Sequence, residues 1–157
     1  MKYVFKLFTV CSILLLVGCA SLPSPEKMKT EIVNFNLPQL PEKGKAIVYV
    51  VRPSSVGGSI KFNVFVDDKE PESEMGYTIG AEYIYFNLKP GTHKILSKAE
   101  NWAEENVSAK AGDVIFIQQN PSMGVIMARN SLATIKSDEG KYWVKDLYLG
   151  TIKKSDK

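Results

Sequence analysis

The sequence predicts an all-β domain. It reads as an immunoglobulin-like or prealbumin-like antiparallel β-sandwich of about seven to nine strands with a short C-terminal helix. Three observations predict it. From Lys45 onward, short apolar runs alternate with turn residues. The runs are rich in Val, Ile, Tyr and Phe and are too short for helices. The stretch from Ser137 carries helix-start chemistry, with a capping residue followed by Asp138 and Glu139.

Residues 1–18 divide as a secretory signal does. Lys2 and Lys6 give a positive start with no acid to offset them. Leu7 to Val17 is then apolar apart from Thr9 and Ser12. At about eleven residues this run is too short to span a ~30 Å hydrocarbon core, so it reads as a signal peptide rather than a membrane anchor. It closes on Leu16-Val17-Gly18-Cys19, which resembles the bacterial lipobox. That resemblance implies cleavage between Gly18 and Cys19 and lipidation of Cys19, because a narrow peptidase site takes a small residue before the modified thiol. Cys11 is the poorer candidate, since branched Val10 precedes it. The lipidated chain would be tied to the bilayer through Cys19. Ala20, standing where an Asp would retain such a protein in the inner membrane, points to the outer membrane, facing the periplasm.

Residues 19–43 are expected to form a lipidated cysteine and a flexible tether. Pro23, Pro25, Pro38 and Pro41 punctuate it and polar residues fill it, a composition that favours extended or disordered chain. Ile32 to Leu37 is the apolar exception and suits an edge strand. The domain proper is expected over 44–152, with a charged tail at 153–157.

Within the domain, Ala46–Arg52 is apolar on both faces and suits a central, covered strand. Ser54–Ser59 is a loop with a Gly-Gly pair. Ile60, Phe62, Val64 and Val66 alternate with their neighbours, Asp67-Asp68-Lys69 turns, and a weaker strand lies near Met75–Ile79. Glu82–Leu88 is a strong strand, with Ile84, Phe86 and Leu88 on one face and Tyr83 and Tyr85 on the other. Lys89-Pro90-Gly91 is a tight turn, since Pro presets φ and Gly accepts the positive φ that follows. Thr92–Ala99, Glu105–Ala109 and Val114–Gln119 continue the strands, with a hairpin tip at Asn101–Glu104. Two more strands are expected at Met123–Arg129 and Ser131–Lys136. Tyr142, Val144, Leu147 and Leu149 then supply one apolar side of the C-terminal helix.

Charge and chemistry narrow the function classes. Removing residues 1–18, with their two lysines and no acid, lowers the net charge from +3 to +1. That is no electrostatic footprint for nucleic acid. Cys11 leaves with the signal and Cys19 takes the lipid, so neither a disulfide nor a catalytic thiol is expected. His93, the one histidine, follows a turn in phase with Ile95 and reads as a structural residue at the rim of the core. No serine sits in a nucleophile elbow. The acids Asp67, Asp68, Glu70, Glu72 and Glu74 do not match a calcium loop, and Pro71 interrupts them. No catalytic residues, cofactor or metal are therefore expected. Tyr83, Tyr85 and Trp102 are the candidate ligand or partner surface, since exposed rings at such positions stack on sugars or peptides. Coverage of that second face by the tether or the C-terminal helix is the plainer alternative.

Three segments occur in an order that resembles a known family. They are K-A-I-V-Y-V-V-R-P-S (Lys45–Ser54), F-N-L-K-P-G-T-H-K-I (Phe86–Ile95) and A-K-A-G-D-V-I-F-I (Ala109–Ile117). Together they resemble an uncharacterised bacterial lipoprotein family, domain of unknown function 2846, over about residues 44–150. The Pro-Gly turn is also similar to PEGA-type surface modules and prealbumin-like sandwiches. The resemblance implies the sandwich and the anchor but no activity. Asp67-Asp68-Lys69 departs from the glycine-containing turn usual after the second strand, and a longer acidic insertion follows it.

The resulting expectation is an outer-membrane-anchored periplasmic lipoprotein and a non-catalytic module that binds or scaffolds an envelope protein. Its contact surface would be an edge strand or the Tyr83/Tyr85 face. A glycan-binding domain for peptidoglycan or lipopolysaccharide sugars is the alternative from another class. It requires the three aromatics to be open together. An enzyme of unrecognised mechanism ranks last.

Overall fold

A computed structural model describes residues 22–157. The expected signal peptide, with the cleavage expected after Gly18 and the lipidation expected at Cys19, lies outside the described residues. The chain opens with helix α1 (Pro25–Glu31) and continues through strands β1 (Ala46–Arg52), β2 (Phe62–Val66), β3 (Glu74–Thr78), β4 (Glu82–Leu88), β5 (Gly91–Lys98), β6 (Trp102–Ala109), β7 (Val114–Ser122) and β8 (Arg129–Ile135). Helix α2 (Ser137–Asp146) and two short strands, β9 (Tyr148–Leu149) and β10 (Thr151–Ile152), end it. The strands form two five-stranded sheets, ordered β8-β7-β1-β4-β9 and β10-β3-β2-β5-β6. Pairing is antiparallel except for β1 with β7 and β4 with β9. The fold is the expected sandwich.

The alternation read in the sequence builds its core. Val48 and Val50 of β1, Val64 and Val66 of β2, Ile84 and Phe86 of β4, Ile95 of β5 and Ile117 of β7 are fully buried between the sheets. β1 sits in the middle of its sheet, paired with β4 on one side and β7 on the other. That is why its apolar character runs over both faces: all seven residues are buried.

A second apolar cluster explains what covers the other face of β1. Ile47, Tyr49, Val51, Tyr83 and Phe116 pack with Val144 of α2, and Phe35 and Leu37 close over them. The molecule is therefore three layers, two sheets and a lid of helix and N-terminal strap. This corrects the expected flexible tether. Ser24 accepts the Lys27 N–H at 3.3 Å and Pro25 opens α1, so residues 25–31 are helical. Ile32–Leu37 lies over the sheet face rather than pairing at an edge. The Tyr49 hydroxyl holds the strap, donating to Gln39 O at 2.6 Å and accepting from Gln39 N at 3.0 Å. Burial pushes the Tyr49 hydroxyl pKa far above its ordinary value, against the bond to the Gln39 backbone.

Other boundaries also shift. Ser137 is the first helical residue of α2 rather than its cap, which is Lys136. Leu149 belongs to β9. β7 runs on through Pro121 to Ser122, because its pairing with β1 stops at Gln118 and its last residues need only β8 beside them. The expected strand at Met123–Arg129 is absent: Met123–Ala128 forms the β7–β8 loop, and β8 starts at Arg129.

The sheet edges are covered in part. The C-terminal segment pairs with β4 as β9 and then with β3 as β10, capping one edge of each sheet. On the other side, side chains of β6 and of the turn before it satisfy the backbone of β8. Asn101 Oδ1 accepts the Asn130 N–H and its amide donates to Asn130 O, while Glu105 accepts from Thr134 N and Oγ1. Strand addition at these positions would have to break those bonds.

Candidate functional site

One end of the sandwich carries the three most exposed large apolar side chains among the described residues. Met123, Val125 and Ile126 in the β7–β8 loop are 90%, 90% and 88% exposed, and Met127 is about half exposed. This loop is held firmly. The Glu100 carboxylate, from the β5–β6 turn, accepts the N–H groups of Val125, Ile126 and Met127 at 3.0, 2.7 and 2.8 Å. Glu100 N–H in turn donates to Ala128 O at 3.2 Å. Three successive backbone donors on one carboxylate favour its charged form. They hold Glu100 at a pKa of about 2, the Met127 contact contributing most, with Arg129 nearby helping. The loop thus displays apolar side chains outward while its backbone donors point inward onto a charge.

The neighbouring loop, residues 53–61, is held by a second ionic side chain. Arg52 is fully buried at the end of β1. Its guanidinium donates to Ile60 O at 2.7 Å, Gly57 O at 2.8 Å and Val56 O at 3.0 Å, with Thr78 O at 3.4 Å. It also lies 3.7 Å from the centre of the Phe62 ring. Burial lowers its pKa, but an arginine starts so high that it stays charged. Val56 is thereby held outward, exposed. The two loops touch, since a Cβ added at Gly57 would fall 2.8 Å from Ala128 Cβ, and Gly57 has φ of +61°.

Beneath these loops, the sandwich interior is polar. Thr78 Oγ1 donates to Gln119 Oε1 at 2.5 Å and Gln119 Nε2 donates to Ser97 Oγ at 2.8 Å, all three residues being fully buried. This cluster joins β3, β5 and β7 just below the loop end and gives the loops a fixed base.

The residues singled out from the sequence fall elsewhere and not together. Tyr83 is buried in the second apolar cluster, and Tyr85 is half-buried there, 5.5 Å from Tyr49. Trp102 lies against Phe65 at 5.2 Å, on the other sheet, with Lys69 and Lys98 over its ring. The tyrosines face the helical lid and Trp102 belongs to the opposite sheet, so the three rings share no surface. A groove of aromatics for stacking on sugars is not formed by them.

His93 lies at the far end of the sandwich. Its Nδ1 is 3.0 Å from Asp67 Oδ2 and its Nε2 is 2.9 Å from Lys89 O, while Asp67 also accepts the Lys94 N–H at 3.0 Å. The contacts tie two turns together. Asp67 takes φ of +70°, the left-handed conformation that the missing glycine of that turn would supply. The acidic stretch spreads out: Asp68 accepts the Glu70 N–H and Glu74 pairs with Lys153 at 2.6 Å. Among the described residues no group of three or more His, Cys, Asp or Glu side chains is placed to hold a metal ion, and no helix is long and apolar enough to cross a membrane.

Sequence reasoning passed over the loop end because Met-Gly-Val-Ile-Met reads locally as a strand. The signal that could have found it was its position, directly after Pro121-Ser122 and with no polar alternation.

Comparison with known proteins agrees with the order of motifs. The family model described as "Protein of unknown function (DUF2846)" matches residues 42–132, from just before β1 into β8. A Haemophilus influenzae protein described as "Uncharacterized protein" is 30% identical over 150 residues, covering 92% of this chain and 86% of the relative.

Proposed function

The chain belongs to the DUF2846 family of proteins of unknown function, and from that premise we propose that it is a membrane-anchored lipoprotein of the bacterial envelope that acts as a non-catalytic docking module through its loop end. The lipobox-like segment ending at Cys19 supports the anchor, with the outer membrane, facing the periplasm, as its place. The observation that carries the docking role is the Glu100 clamp. Exposed Met, Val and Ile side chains normally cost a soluble surface its solubility, and large apolar patches mark interaction sites. Here they are presented on a backbone already ordered by three charge-assisted hydrogen bonds. Burial on a partner would return roughly 1.5–3 kcal/mol for each such side chain, with little loop entropy left to lose. Of the other surfaces considered, the tyrosine face is covered by the chain's own lid, and the β4 and β3 edges are taken up by the C-terminal segment.

Two variants of the full chain test this. Val125→Asp with Ile126→Asp should leave thermal unfolding within about 2 °C of the parent, as exposed substitutions do, yet match a gene deletion in its effect on cells. Wild-type behaviour of that double variant would remove the loop end from the function. Cys19→Ser should abolish incorporation of labelled palmitate and release the protein from membrane fractions. Unchanged labelling would place the lipid elsewhere or nowhere.

A further inference from the structure

The direction in which the loop end faces, and the charge around it, identify the kind of partner it fits. Leu22, Pro25 and Met28 pack around Thr134, Ile135 and Lys136, at the C-terminal end of β8. The apolar tip follows Ser122, which pairs with Arg129 at the other end of β8. From Thr134 to Arg129 the strand covers about 17 Å at ~3.4 Å per residue, and the tip projects beyond that. Three residues of chain, from Cys19 to Leu22, reach at most roughly 11 Å. An anchor at Cys19 therefore holds the domain by the end opposite the tip, and the tip is turned away from the bilayer that holds it.

The rim of the tip is basic. Arg129 lies beside it, since a Cβ on Gly124 would come within 2.9 Å of the Arg129 Cγ. Lys61 and Lys98 line a shallow hollow along the outer face of β2 and β5 that ends at Met127. None of the three is in a salt bridge among the described residues. Lys61 and Lys98 instead rest over the rings of Tyr77 and Trp102, at 4.4 and 5.5 Å. The acids beside this rim are already engaged. Glu100 is taken up by the loop amides, and Glu74, which also lines the hollow, by Lys153 and Asn63.

We infer that the Met123–Met127 tip and its rim of Lys61, Lys98 and Arg129 dock another envelope protein, one that offers an apolar hollow flanked by carboxylates. A second copy of this chain fits poorly, because two basic rims would face each other. The orientation part of this inference rests on the anchor proposed at Cys19; the charge and apolar match does not.

In-cell photocrosslinking of the full chain tests it, with a photoreactive residue at Ile126 and, as a control at the opposite end, at Lys110. The expected result is a discrete protein adduct from position 126 and none of the same mass from 110. Its crosslinked peptide should be apolar with flanking Asp or Glu. The adduct should fall at least about fivefold when Lys61→Glu and Lys98→Glu are combined, with thermal unfolding of that variant confirming an intact fold. Crosslinks from 126 to phospholipid, an adduct with a second copy, an adduct indifferent to the charge reversals, or no adduct would each overturn the inference. Palmitate labelling of the same cells reads the anchor separately: an unlabelled chain with the expected adduct would defeat the anchor and leave the docking chemistry standing.

Discussion

Replacing Arg52 by leucine should be among the most damaging single changes in this domain. Its guanidinium makes three hydrogen bonds of 3.0 Å or shorter to the carbonyls of Val56, Gly57 and Ile60, a longer one to Thr78, and a stacked contact with Phe62. Bonds from a charged donor contribute about 1.5–3 kcal/mol each, so the three short ones sum to roughly 5–9 kcal/mol. Against this stands the desolvation of a buried cation, of several kcal/mol, which the leucine variant avoids. The carbonyls left behind are partly rescued by water where the loop opens. The expected net loss is about 3–5 kcal/mol, since each buried carbonyl left unpaired costs about 1–3 kcal/mol. For a domain of this size that lowers Tm by roughly 10–20 °C. Arg52→Lys should lose about half as much, because one ammonium cannot reach three diverging carbonyls and cannot stack on Phe62. Urea unfolding gives the free energies, and amide exchange at residues 56–60 reports the loop. An Arg52→Lys variant within about 0.5 kcal/mol of the parent would refute the reasoning, since charge alone would then suffice and the forked geometry would be irrelevant.

Three further outcomes follow from other contacts. Glu100 has its pKa lowered from 4.5 to about 2, so its contribution is complete above about pH 4.5 and is lost as pH falls through about 2. Amide exchange at Val125, Ile126 and Met127 should stay slow down to about pH 3 and become fast in Glu100→Ala at every pH, with retained protection in the variant contradicting the clamp. Gly140→Ala should destabilise despite the roughly 1 kcal/mol helix advantage of alanine, because its Cβ would fall 2.1 Å from Phe116 Cγ. The Phe116 ring, stacked on Tyr49 at 5.5 Å, has little room to retreat, and a net loss of about 1–3 kcal/mol is expected in chemical denaturation. Tyr49→Phe removes both bonds to Gln39 and should cost about 1–2 kcal/mol, read as faster exchange near Gln39 with the sandwich core unchanged.

Much of the sandwich was legible because strand patterns record burial. The inward sets of β2 and β4 appear in the structure as core between the sheets, and the two-sided apolar run of β1 as a central strand. The β4–β5 turn was legible for an equally local reason, since Pro90 and Gly91 meet the dihedral needs of the turn by themselves. The helical lid was half legible. Asp138 and Glu139 marked the start of α2, but the prolines around α1 read as tether because Pro at a first helical position looks the same as Pro in a linker. What makes 25–37 ordered is contact with α2 and Tyr49, which are distant in the chain.

The sequence by itself determined the class of fold, the place of β1 at its centre and the absence of any nucleophile elbow or metal-loop pattern, because each of these follows from residue type and short spacing. The tertiary structure alone decided which apolar residues would be left outside. Tyr83 was buried and Tyr85 half-buried by a layer built from N-terminal and C-terminal segments. Met123–Met127 was put on it because the pairing of Ser122 with Arg129 leaves those residues no strand partner, and Glu100, more than twenty positions earlier, takes up their backbone donors instead. Register and long-range hydrogen bonding carry that decision, and neither is written in the local pattern of residues.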